Sequence, residues 1–110
     1  MYKLLEMKCK ACEGIQDKLS NKQIKSNLKQ IKKWELFNNH HIEKTFKFPD
    51  FKSSLSFVNK IGKLAEKEGH HPNIDFTWGE VTVKLWTHAL HGLSMNDFIM
   101  AAKIDKIKKS

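Results

Sequence analysis

Two strictly alternating stretches, Asn73-Ile74-Asp75-Phe76-Thr77-Trp78 and Val81-Thr82-Val83-Lys84-Leu85-Trp86, are separated only by Gly79-Glu80. Alternation of apolar and polar residues is the period of a strand with one buried face. A Gly-X pair suits a type II′ turn, so the segment reads as a hairpin. A two-residue loop sets the register. It predicts Trp78 opposite Val81, Phe76 opposite Val83 and Ile74 opposite Leu85. These pairs form one apolar face for helices to cover. The other face carries Thr77 with Thr82, Asp75 with Lys84, and Asn73 with Trp86. One step further, His71 is expected opposite His88, with β-carbons about 4.5–5.5 Å apart.

The remaining patterns supply a second hairpin and three helices. Ser20 or Asn21 caps a first helix, with Ile24, Leu28 and Ile31 at helical spacing, expected to end near Lys32 or Lys33. Trp34–Phe37 and Ile42–Phe48 read as strands around the turn Asn38-Asn39-His40-His41, with Ile42, Lys44, Phe46 and Phe48 on one side. Pro49-Asp50 stops the strand and caps a second helix, expected over about Phe51–Glu68. Its stripe is Phe51, Leu55, Val58, Ile61, Leu64 and Ala65, and Gly69 closes it. Ser94 caps a last helix, with Leu93 before it as an apolar staple. Phe98, Ala101, Ala102 and Asp105 share one of its sides. The order α-β-β-α-β-β-α with tight turns predicts an α+β fold: a four-stranded antiparallel sheet with three helices on one face. Residues 1–18 read as an N-terminal leader, of which residues 1–16 are expected to be dispensable for folding and turnover, and 19–110 as the domain.

At 110 residues the chain is sized for one core. No apolar run approaches a membrane span or the core of a signal peptide, which makes the cytoplasm the expected location and excludes a membrane partner. The net charge is +8, and every basic residue is lysine. Arginine is the preferred reader of phosphate and guanine, so a dispersed lysine surface reads as a solvated face and nucleic acid as an unlikely partner. Cys9 and Cys12 form a lone Cys-x-x-Cys. A structural zinc site needs four ligands, and no second pair exists.

The chemistry concentrates around Glu66-Lys67-Glu68-Gly69-His70-His71-Pro72. The two histidines sit where a helix gives way to a strand, and Pro72 disfavours a helical His71. His88 follows at the hairpin's far end, and Asp97 falls in the first turn of the last helix. Histidine titrates near neutrality, so three together point to acid/base catalysis or to a metal site. His40 and His41 form another pair, but in a polar turn, and are expected to be solvated loop residues away from the site.

The set Glu66-x-x-x-His70-His71-Pro72, an aromatic at Trp78, His88 and Asp97 resembles the pterin-4a-carbinolamine dehydratases. The likeness runs from about Leu19 to Lys108. It implies a dehydratase without metal or other cofactor, which converts 4a-hydroxytetrahydropterin to quinonoid dihydropterin and water. That reaction recycles the pterin of aromatic amino-acid hydroxylases. Carried over, His70, His71 and His88 are the catalytic histidines, with Glu66, Pro72, Trp86 and Asp97 at the substrate. The expected split is His70 and His88 for proton transfer and His71 for positioning. Trp86 departs from the family's usual small residue, and is expected to stack on the pterin or narrow the pocket. The resemblance also implies a homodimer or homotetramer. It offers a rival role as a non-catalytic dimerisation cofactor of a transcription factor, and disfavours a zinc protein built on the three histidines.

Overall fold

The computed structural model describes residues 3–9 and 18–107. The elements run α1 (Asn21–Leu28), β1 (Glu35–Phe37), β2 (His41–Lys47), α2 (Phe51–Glu68), β3 (Asn73–Phe76), β4 (Glu80–Leu85) and α3 (Met95–Asp105), with 3-10 turns at Leu4–Glu6 and His88–Leu90. The four strands form one antiparallel sheet in the order β1-β2-β4-β3. The expected α+β architecture and element order are those observed.

Local chemistry explains the helix ends. Ser20 accepts from the Gln23 amide while the Gln23 side chain accepts from the Ser20 amide, a capping box. Asp50 accepts from the Ser53 amide at the start of α2. Gly69, at φ 70°, closes α2 and returns its N–H to Ala65 O. Helix α1 stops at Leu28, short of the expected Lys32, and Ile31 enters the core from the turn that follows.

The α2 stripe divides. Phe57, Ile61 and Ala65, spaced by four, face the core, whereas Phe51 and Leu55 are exposed. Helix α3 is apolar nearly all round, with every residue from Asn96 to Ala102 buried. A helix buried on all sides needs cover beyond one sheet. Part of the expected leader supplies it. Leu4, in the 3-10 turn at Leu4–Glu6, is 2% exposed and joins the core beside α3. The Leu4 amide donates to Gln30 Oε1, and the Cys9 amide donates to Glu68 Oε1. Residues 3–9 are therefore packed into the fold, and their dispensability is what a change at Leu4 tests; Cys12 lies outside the described residues. Leu4→Ala is expected to destabilise the protein by about 2–5 kcal/mol, the usual cost of emptying a core site. Urea unfolding checks this, and a loss below about 0.5 kcal/mol, typical of surface changes, would return Leu4 to the periphery.

The second hairpin keeps its faces but not its register. Ile74 pairs with Val83 and Phe76 with Val81, two positions from the expected partners. The turn is Trp78-Gly79, closed by Thr77 N–H donating to Glu80 O. Three contacts outside the hairpin account for this. The ladder between β2 and β4 draws Glu80 into the strand opposite Lys47. Phe48 N–H then donates to Gly79 O, and Ser54 Oγ donates to Trp78 O from α2. A β-carbon on Gly79 would lie 3.2 Å from Phe48 O, so the close approach favours glycine. A two-position shift preserves side-chain parity, and Val81, Val83 and Leu85 still point into the core.

Candidate active site

The end of α2 delivers the first two histidines. After Gly69 the backbone turns out of the helix, and Pro72 leads into β3. His70 is driven inward, 5% exposed, while the His71 side chain stays 62% exposed. The revised register no longer sets His71 opposite His88, because β3 begins at Asn73 and β4 ends at Leu85. His88 instead opens the 3-10 turn that follows β4. The two share one site nonetheless: Gly69, His70, His71, Pro72, Asn73 and His88 line one open cavity of about 320 Å³.

Asp97 stands behind His70 rather than on the cavity wall. It is wholly buried and accepts three hydrogen bonds. His70 Nε2 lies 2.7 Å from Oδ1, and Oδ2 receives Thr87 Oγ1 at 2.9 Å and the Ser94 amide at 3.0 Å. A carboxylate only accepts, so His70 Nε2 carries the proton and Nδ1 is left for exchange. Thr87 spends its single hydroxyl proton on Asp97, so Ser94 Oγ donates to Thr87 Oγ1, at 2.6 Å. Thr87 is pinned further by its backbone bridge to Gly92. Thr87 and Ser94 are thus site residues that the sequence reading did not name as such. Ser94 was legible as a cap, whereas Thr87 carried no local signal.

Glu66 sits in the last turn of α2, and its Oε2 meets His71 Nε2 at 2.5 Å. Both groups are exposed, so this contact orients His71 rather than stabilising the fold. Trp86 stacks on His88, with ring centroids 4.6 Å apart and planes at 12°. One face of the indole is therefore occupied by a histidine of the site.

His40 and His41 are not the solvated loop pair expected. Asn38 and Asn39 take the left-handed conformation that asparagine tolerates, which completes the turn early and starts β2 at His41. His41 pairs with Phe37 across the ladder and stacks on its ring at 5.3 Å. Continued past Ile42 and Leu85, the ladder between β2 and β4 sets His41 opposite Trp86. The His40 and His41 rings lie 5.2 and 6.0 Å from the indole.

The Cys9 thiol hydrogen-bonds Asn96 O at 3.7 Å, beside the site but off the cavity. Burial, and then the negative charge of Glu68, push its pKa up to about 12, so it stays a thiol near neutrality. Glu68 itself is held below the ordinary carboxylate range. Its burial opposes this, but the Cys9 amide and the Lys103 ammonium, 2.7 Å away, outweigh the burial. Among the described residues, no three histidine, cysteine or acidic side chains are grouped to hold a metal. No described helix is long and apolar enough to cross a membrane.

The family model described as pterin 4 alpha carbinolamine dehydratase matches residues 17–107. The chain belongs to that family. Relatives named provisionally as pterin-4-alpha-carbinolamine dehydratases include one from Alkaliphilus metalliredigens, 48% identical over 107 residues and covering 96% of both chains. Another, from Rickettsia canadensis, is 44% identical over 106 residues, covering 96% of this chain and 97% of its own. Among solved structures, a Brucella melitensis protein described as a transcriptional coactivator/pterin dehydratase superposes with a TM-score of 0.77. It is 29% identical, over 81% of this chain and 96% of its own. A pterin dehydratase-like protein described as a RuBisCO assembly factor in the alpha-carboxysome gives 0.57 at 26% identity, over 66% and 84% of the two chains.

Proposed function

We propose that this member of the family is a dehydratase acting on 4a-hydroxytetrahydropterin. The observation that carries the reading is the buried His70–Asp97 pair beside two exposed histidines on one cavity. Dehydration needs one group to give a proton and another to take one. A protonated imidazole donates to the 4a-hydroxyl, the carbon–oxygen bond breaks, and water leaves. The adjacent ring nitrogen shares its electron pair with C4a and gives its proton to a second imidazole. The product is the quinonoid dihydropterin, and the two proton transfers cancel on the protein. His88 and His70 carry the transfers, His70 with its Nε2 proton held by Asp97. His71, steadied by Glu66, positions the substrate at the rim next to Pro72. With one indole face against His88 and no place in the cavity lining, Trp86 backs His88 rather than offering that face to the pterin.

This chemistry requires neither metal nor cofactor. The protein works in the cytoplasm and returns pterin to an aromatic amino-acid hydroxylase. The decisive experiment is dehydration of a synthetic 4a-hydroxytetrahydropterin, with protein dialysed against a chelator. Acceleration that survives dialysis is the expected result. No acceleration would favour the rival reading, a non-catalytic binding module for a transcription factor. Activity lost on dialysis and restored by zinc would sink the metal-free mechanism.

The protein acts as a homodimer or homotetramer. Phe51, Leu55, Phe76 and Trp78 are exposed, Phe51 stacks on Phe76, and β3 is an unpaired sheet edge. Light scattering at micromolar concentration should report a multiple of 12.8 kDa, and a monomer would count against the assembly.

A further inference from the structure

We propose that His40 and His41 are positioning residues for the dehydration, acting on His88 through Trp86. The inference rests on the dehydratase reading and adds to it a second histidine pair, whose rings reach His88 through the indole.

His88 is exposed, and among the described residues no side chain hydrogen-bonds its ring. A surface imidazole in that state turns among rotamers, and a proton donor must be held within a fraction of an ångström of its target. The parallel stack on Trp86 is what limits it. Trp86 in turn is the first residue past the end of β4. Among the described residues, the remaining aromatic neighbours of the indole are His40 and His41, tilted against it by 42° and 57°.

That backing is itself braced. The His40 and His41 Nδ1 atoms are 3.2 Å apart, close enough for one N–H to be shared between them. His41 Nε2 meets Glu43 Oε1 at 3.3 Å, and its ring lies on Phe37. A continuous row of rings therefore runs from β1 to the cavity: Phe37, His41, His40, Trp86, His88. Each member is fixed by the one before it, and the last is a reacting group of the proposed mechanism.

The test compares a His40→Ala/His41→Ala double variant with a His40→Phe/His41→Phe double variant that keeps the rings and removes their nitrogens. Two quantities are measured: steady-state kinetics on 4a-hydroxytetrahydropterin, and the NMR signals of the His88 ring, assigned by their loss in His88→Ala. In the alanine variant kcat should fall about three- to tenfold, the fold-change matching the usual worth of an aromatic pair, with KM unchanged. The His88 ring protons should lose the upfield displacement that a stacked indole imposes. The phenylalanine variant should restore both. His88 signals that stay in place in the alanine variant would overturn the positioning role, as would a rise in KM at constant kcat. Wild-type protein without turnover would overturn the dehydratase reading, and the ring signals would still report the link on their own.

Discussion

Replacing His88 by alanine is expected to lower turnover by about 10²–10⁴, the usual share of a positioned acid or base. The fold should survive. His88 is exposed and contributes one ring stack, worth about 1 kcal/mol. His71→Ala should cost less in kcat and more in KM, because its salt contact with Glu66 lies at the exposed rim and serves orientation. The measurement is kcat and KM for each variant on 4a-hydroxytetrahydropterin, with urea unfolding alongside. His88→Ala at full activity would remove His88 from the proton path, and with it the reason for the ring row that ends there.

The elements were legible because their signals are local. Helix α2 has the expected bounds because Asp50 caps it and Gly69 ends it, both through contacts within a few residues. The strands followed from alternation, and the faces survived because moving a two-residue turn by one position shifts the register by two and keeps side-chain parity. What failed depends on partners distant in sequence. The turn moved to Trp78-Gly79 because Phe48 and Ser54 bond its carbonyls, and no pattern inside the hairpin encodes that. Leu4 looked like part of a leader because its cover, α3, is ninety residues away. His40 and His41 looked solvated because polar neighbours mask a register that two left-handed asparagines set. The candidate site divides in the same way. The Glu66-to-Asp97 motif named the candidates, while the buried Thr87 hydroxyl that bonds Asp97 appears only once β4 and α3 are packed together.

Asp97 allows the fold and the chemistry to be tested separately. Asp97→Ala strips the acceptor from His70 Nε2, the Thr87 hydroxyl and the Ser94 amide at a buried position. Each stranded donor costs about 1–3 kcal/mol, and losing one partner of a buried pair costs about 3–5 kcal/mol. A loss of that size is expected in urea unfolding, with little folded protein left to assay. Asp97→Asn keeps the shape. Its carbonyl oxygen can accept from Thr87 and Ser94, and its amide can donate to His70 Nε2 if the ring proton moves to Nδ1. The fold then holds, but the imidazole is in the opposite tautomer, with its free lone pair turned to the interior. In a Ser-His-Asp triad the corresponding change costs about 10⁴ in kcat at intact geometry. A loss of about 10²–10⁴ is expected here, with unfolding within about 1–2 kcal/mol of wild type. Full turnover in Asp97→Asn would mean that His70 takes no part in proton transfer. Wild-type stability in Asp97→Ala would mean that water reaches the three donors once the carboxylate is gone.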